Sequence, residues 1–90
     1  MTIAETMHDK LQNAFAPTAL EIVDESHLHA GHMGARPEGE THFRVTIVSA
    51  AFAGASRVQR HRLVHEVLAA ELRERVHALA LVLRTPEEAR

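Results

Sequence analysis

The chain has no cysteine, no tryptophan and no tyrosine, and only three phenylalanines among its 90 residues. Without cysteine it forms no disulfide and holds no thiol nucleophile. It also cannot by itself supply thiolates to an iron–sulfur cluster. With so few aromatics, valine, leucine and alanine must fill the core. Charge of one sign is lacking too: ten Lys and Arg stand against twelve Asp and Glu, for −2 with neutral histidines. That balance does not bind nucleic acid by bulk charge, so any such contact needs a local basic patch. No apolar run approaches the roughly 18–20 residues of a membrane span. The opening MTIAETMHDK has neither a basic leader nor a long apolar stretch. The expectation is a soluble cytoplasmic protein with no membrane partner. Its length suits one small domain, residues 1–90, burying about 60–65% of its unfolded surface.

What the chain does have is histidine, eight in all. His27, His29 and His32 cluster in ESHLHAGHMG, residues 25–34. The patterns around them place this segment in a loop. Thr2 and Glu5 fit a capping box, and Ile3, Met7, Leu11 and Phe15 repeat every four residues, so a helix is expected over residues 3–15. Pro17 stops it. ALEIVDE, residues 19–25, reads as a strand. In HFRVTIVS, residues 42–49, Phe43, Val45 and Ile47 alternate with Arg44, Thr46 and Val48, the period of a half-buried strand. The connection between them runs for about fifteen residues, a length usually functional or disordered.

AAFAGA, residues 50–55, suits a short helical turn. Ser56 is a good N-cap for a helix over residues 57–73 with an apolar stripe of Val64, Val67, Leu68 and Leu72. VHALALVLR, residues 76–84, is a short continuous apolar run that reads as a buried strand. The last helix lies between two strands and acts as a crossover, which makes the third strand parallel to the second. The first two should be antiparallel. The expected fold class is α+β: a three-stranded mixed sheet with helices packed on one face.

Four blocks carry a resemblance: LEIVDESHLHAGH, GETHFRVTIVSAAFAG, SRVQRHRLVHEVLAAEL and VHALAL. In order and spacing they resemble the BolA family over nearly the whole chain. That resemblance implies a fold similar to a type II KH domain, αββααβ, in agreement with the element order above. It also implies a monothiol glutaredoxin as partner, with which a [2Fe–2S] cluster is shared in iron–sulfur trafficking or iron sensing. Cysteine from the glutaredoxin and glutathione would ligate one side, and histidine of this chain the other. By motif position the main ligand is His77, in VHALAL, and the loop ligand is best matched by His29. His27 and His32 are close enough to substitute for it. Neutral imidazole is a good iron ligand, and its need to be deprotonated makes such binding pH-sensitive. Alone, the chain is expected to hold no cluster and to be a monomer or weak homodimer.

The family also includes members described as DNA-binding transcriptional regulators of stress response and cell morphology. Here Arg57, Arg60 and Arg62 at the start of the long helix are the candidate phosphate contacts. KH-type gripping is not supported, because GHMG, Gly31 to Gly34, lies between the first two strands and not between the helices. His61 and His65 stand four apart on a helix without an obvious third ligand, and a structural role is expected for His61. An enzyme is not expected. There is no cysteine nucleophile, no phosphate-binding glycine loop and no triad. Asp24 and Glu25 point to opposite sides of a strand.

Overall fold

The computed structural model describes residues 2–26 and 41–90. Helix α1 (Ile3–Phe15) opens on the expected capping box. Thr2 Oγ1 accepts the Glu5 N–H at 3.1 Å, and Glu5 Oε1 accepts the Thr2 N–H at 3.0 Å. Two donors at the helix end are thereby satisfied. Met7, Leu11 and Phe15 are buried along one face, as their four-residue spacing requires. The helix ends at Ala16 with φ 42°, a left-handed conformation that costs a non-glycine residue about 1–2 kcal/mol.

Strand β1 (Ala19–Asp24) pairs antiparallel with β2 (His42–Val48), with Leu20 opposite Ile47 and Ile22 opposite Val45. Strand β3 (Ala78–Arg84) pairs parallel with β2, with Phe43 opposite Leu79 and Val45 opposite Leu81. The sheet order is β1-β2-β3. A parallel neighbour needs a crossover. It is supplied by a 3₁₀ turn (Ala50–Phe52) and helices α2 (Arg57–Val67) and α3 (Ala69–Glu74). Ser56 caps α2 through a second box with Gln59. Gly54, at φ 78°, turns the chain between the 3₁₀ turn and α2. Three helices and a three-stranded mixed sheet make the α+β fold expected from the patterns.

Two expectations need correction. The helix expected over residues 57–73 bends at Leu68, whose φ of −100° and ψ of 17° separate α2 from α3. The i to i−4 bonds Leu68 N–H to Val64 O and Leu72 N–H to Leu68 O, both 3.0 Å, still run through the bend. Apolar spacing alone does not register it, because Val64 one turn before the bend and Leu68 at the bend are both fully buried. The second correction concerns β3, which is a half-exposed edge strand and not a buried one. Its continuous apolar run arises because Leu79, Leu81 and Leu83 pack toward the core, while Ala80 and Val82 sit on the opposite face of the pleat. The strand also begins two residues later than expected.

The core lies between the sheet and the helices. Phe43, Val45 and Ile47 of β2 meet Met7, Leu11, Phe52, Val64 and Leu68. Phe15 and Phe52 pack with ring centroids 5.1 Å apart at a tilt of 42°. Each such large side chain contributes about 1.5–3 kcal/mol on full burial. Lys10 of α1 reaches the buried Glu71 of α3 at 2.8 Å and joins the two helices. Among the described residues, no helix is long and apolar enough to cross a membrane.

Candidate functional site

Because β1 runs against β2 and β3 runs with it, one end of the sheet gathers three chain segments. β1 ends there, and β2 and β3 begin there. The residues that meet are Ser26, Thr41 with His42, and His77.

Ser26 is the hub. It is 6% exposed, and its hydroxyl donates to Asp24 Oδ1 at 2.5 Å. Its oxygen accepts the Thr41 N–H at 2.9 Å and the His42 N–H at 3.1 Å. One hydroxyl therefore ties together the residues on both sides of the 27–40 segment. Glu25 adds a second tie: its N–H donates to His42 O at 2.8 Å, and its carboxylate pairs with Arg44 at 3.1 Å.

His77 is joined to the same end by backbone. Its N–H donates to Thr41 O at 2.7 Å, and the Ala78 N–H shares that carbonyl at 3.1 Å. Its imidazole is exposed. The sequence placed it on a strand; it stands one residue before β3, held by the ladder but outside it. The main chain is fixed while the ring faces outward, which suits a ligand offered to something beyond this chain.

His42 is the residue that sequence reasoning passed over. It is 6% exposed, and its ring lies 5.5 Å from that of His77 at a tilt of 51°. Its Nδ1 lies 2.8 Å from Thr41 Oγ1. The Ser26 oxygen already accepts two backbone N–H bonds, so the Thr41 hydroxyl proton is better placed on His42 Nδ1. A Thr41 hydroxyl that donates to Nδ1 requires the tautomer with its one ring proton on Nε2. The only sequence signal of His42 was parity: it lies on the exposed pleat side with Arg44, yet it is buried.

His29, His27 and His32 lie outside the described residues, as does GHMG. Among the described residues no group of three or more His, Cys, Asp and Glu side chains is arranged to hold a metal ion. Among the described residues the rings of His77 and His42 lie 5.5 Å apart.

The arginines separate. Arg60 does not face outward with its neighbours. Its guanidinium donates to Glu88 at 2.6 and 3.2 Å, to Ala55 O at 3.0 Å and to Leu83 O at 3.3 Å. The Arg60 bond, aided by the Thr85 N–H, holds the Glu88 carboxyl at about 2, and the same pairing raises Arg60. Arg57 and Arg62 instead line a shallow groove on α2 with His61 and His65. His61 has the local bond expected of it, Nδ1 to Arg57 O at 2.8 Å.

Comparison with known proteins agrees with this architecture. Residues 11–88 match the family described as BolA-like protein. The chain is 48% identical to human BolA-like protein 1 over 86 residues, covering 96% of this chain and 60% of the human one. It is 44% identical to a Haemophilus influenzae protein named DNA-binding transcriptional regulator BolA, covering 98% of this chain and 82% of that protein. The solved structure of BolA1 from Arabidopsis thaliana superposes with a TM-score of 0.88 at 46% identity, over 98% and 96% of the two chains. In fold, in length of match and in sequence, this chain belongs to the BolA-like family.

Proposed function

We propose that this protein pairs with a monothiol glutaredoxin and shares with it, and with glutathione, a [2Fe–2S] cluster in iron–sulfur trafficking or iron sensing. His77 is the fixed ligand of this chain. His29 is the second, with His27 and His32 as substitutes. The observation that supports this is the gathering of Ser26, Thr41 and His77 at one sheet end. The segment bearing three histidines leaves from Ser26 and returns at Thr41, and Thr41 O accepts the His77 N–H at 2.7 Å. The donor chemistry fits: imidazole nitrogen ligates iron, and a cysteine-free chain has no thiolate to offer.

The test mixes the chain with a cluster-loaded monothiol glutaredoxin and follows visible absorption and circular dichroism. A spectrum distinct from that of the glutaredoxin alone is expected. His77→Ala should abolish the change, and His29→Ala should weaken it. If both variants keep the wild-type spectrum, the ligand assignment fails.

A second reading, transcriptional regulation through DNA, is favoured by the name of the Haemophilus relative and by the exposed Arg57 and Arg62 beside His61 and His65. Arg60, engaged by Glu88, contributes less. Phosphate contact predicts an affinity that falls steeply with salt. Weak binding at low salt that Arg57→Ala and Arg62→Ala leave unchanged would count against it.

A further inference from the structure

The outer edge of β3 meets α2 in a cleft that the cluster reading does not use. Arg57, Arg60, His61, Leu81, Leu83 and Arg84 line it. Ladder polarity decides which backbone groups face it. Within a strand, alternate residues direct their N–H and C=O to opposite neighbours. The Ala78 N–H donates to Thr41 O at 3.1 Å, and Arg84 O accepts the Ser49 N–H at 2.9 Å. Ala78, Ala80, Val82 and Arg84 therefore face β2. Leu79, Leu81 and Leu83 direct their peptide groups to the outer edge. The Leu83 carbonyl accords with this, since it accepts from Arg60 Nη1 at 3.3 Å. Among the described residues no strand pairs with β3 on that side. Arg60 and Glu88 cover only its Leu83 end.

Charge narrows the occupant. Arg60 is neutralised by Glu88. Arg57 and Arg84 are both exposed and have no ion-pair partner among the described residues. We propose that this cleft is a strand-addition site for an extended acidic peptide of a partner protein. The peptide main chain pairs with Leu79 and Leu81, and its carboxylates meet Arg57 and Arg84. An alternating row of donors and acceptors is matched by another extended polypeptide. The phosphates of a nucleic acid bring only acceptors, so it could meet the edge carbonyls only through its bases or 2′-hydroxyls.

The test is an NMR titration of the full chain with a soluble synthetic peptide of alternating Glu and Val. The Leu79 and Leu81 amides should shift, and their hydrogen exchange should slow. The Arg57→Glu, Arg84→Glu double variant should weaken binding by about tenfold or more, through loss of charge-assisted contacts, and should bind a Lys–Val peptide instead. Leu81→Pro removes one edge N–H without touching the β2 ladder and should also prevent pairing. Should that variant fail to fold, the charge reversal still decides. Three results would overturn the proposal: protection at the β1 edge instead, equal affinity for the Lys–Val peptide in the wild type, or a single-stranded oligonucleotide protecting these amides where the acidic peptide does not.

Discussion

The two ends of the sheet are held by different chemistry. At the Ser26 end, hydroxyls and imidazoles converge: Ser26, Thr41 and His42 are all nearly or fully buried, and His77 stands exposed beside them. At the opposite end, Ser49 donates to Phe15 O at 2.7 Å, and the Arg60–Glu88 pair locks the residues after β3 against α2. The first end is held by hydrogen bonds that meet at Ser26, with the Glu25–Arg44 pair beside them, and it leaves the His77 ring exposed. The second is locked by a fixed ion pair, with the exposed Arg57 and Arg84 beside it. The proposed cluster ligand fits the first end, because the main chain is fixed there while the imidazole of His77 stays exposed.

Ser26→Ala should break this contrast most strongly. It leaves the buried Thr41 and His42 N–H groups without their acceptor, at a cost of about 1–3 kcal/mol for each unmet donor. Urea unfolding should show it, and cluster sharing should fall with it. Ser49→Ala at the other end removes the bond to Phe15 O and the cap on Ala51 N–H. Its cost should be about 1–2 kcal/mol, with the glutaredoxin spectrum unchanged.

Glu88→Gln sharpens the comparison in acid. The folded Glu88 carboxyl sits at about 2, below its ordinary 4.5. Its stabilisation is thus fully present above 4.5 and is lost as pH falls from there toward 2. Glu88→Gln should flatten that part of the acid unfolding curve, read by circular dichroism against pH. The smallest stability effect belongs to His77→Ala, within about 0.5 kcal/mol, because the ring is exposed and its backbone bond survives. The same variant should abolish the spectral change with glutaredoxin. A large loss of stability in His77→Ala would mean that the ring is structural.

Much of this was legible from spacing. Ile3, Met7, Leu11 and Phe15 marked α1, and Thr2 with Glu5 marked its start. Phe43, Val45 and Ile47 marked the buried face of β2. The bend at Leu68 was not legible, since a helix with one buried stripe has the same spacing whether straight or bent. The edge position of β3 was hidden for a related reason. A strand whose outward face carries Ala80 and Val82 reads as buried on both faces. His77 was found through the block it resembles. His42 was missed because nothing local in THF distinguishes an imidazole under a loop anchor from one in solvent.

The sequence by itself determined the elements, their order and the absence of thiol chemistry, because periodicity, caps and composition act over a few neighbouring residues. Only the tertiary structure decided which side chains meet. Pairing β3 parallel to β2 set His77 against Thr41 and His42. The tail after β3 took Arg60 out of the group it shared with Arg57 and Arg62. Both outcomes depend on contacts between residues far apart in the chain, which local patterning does not encode.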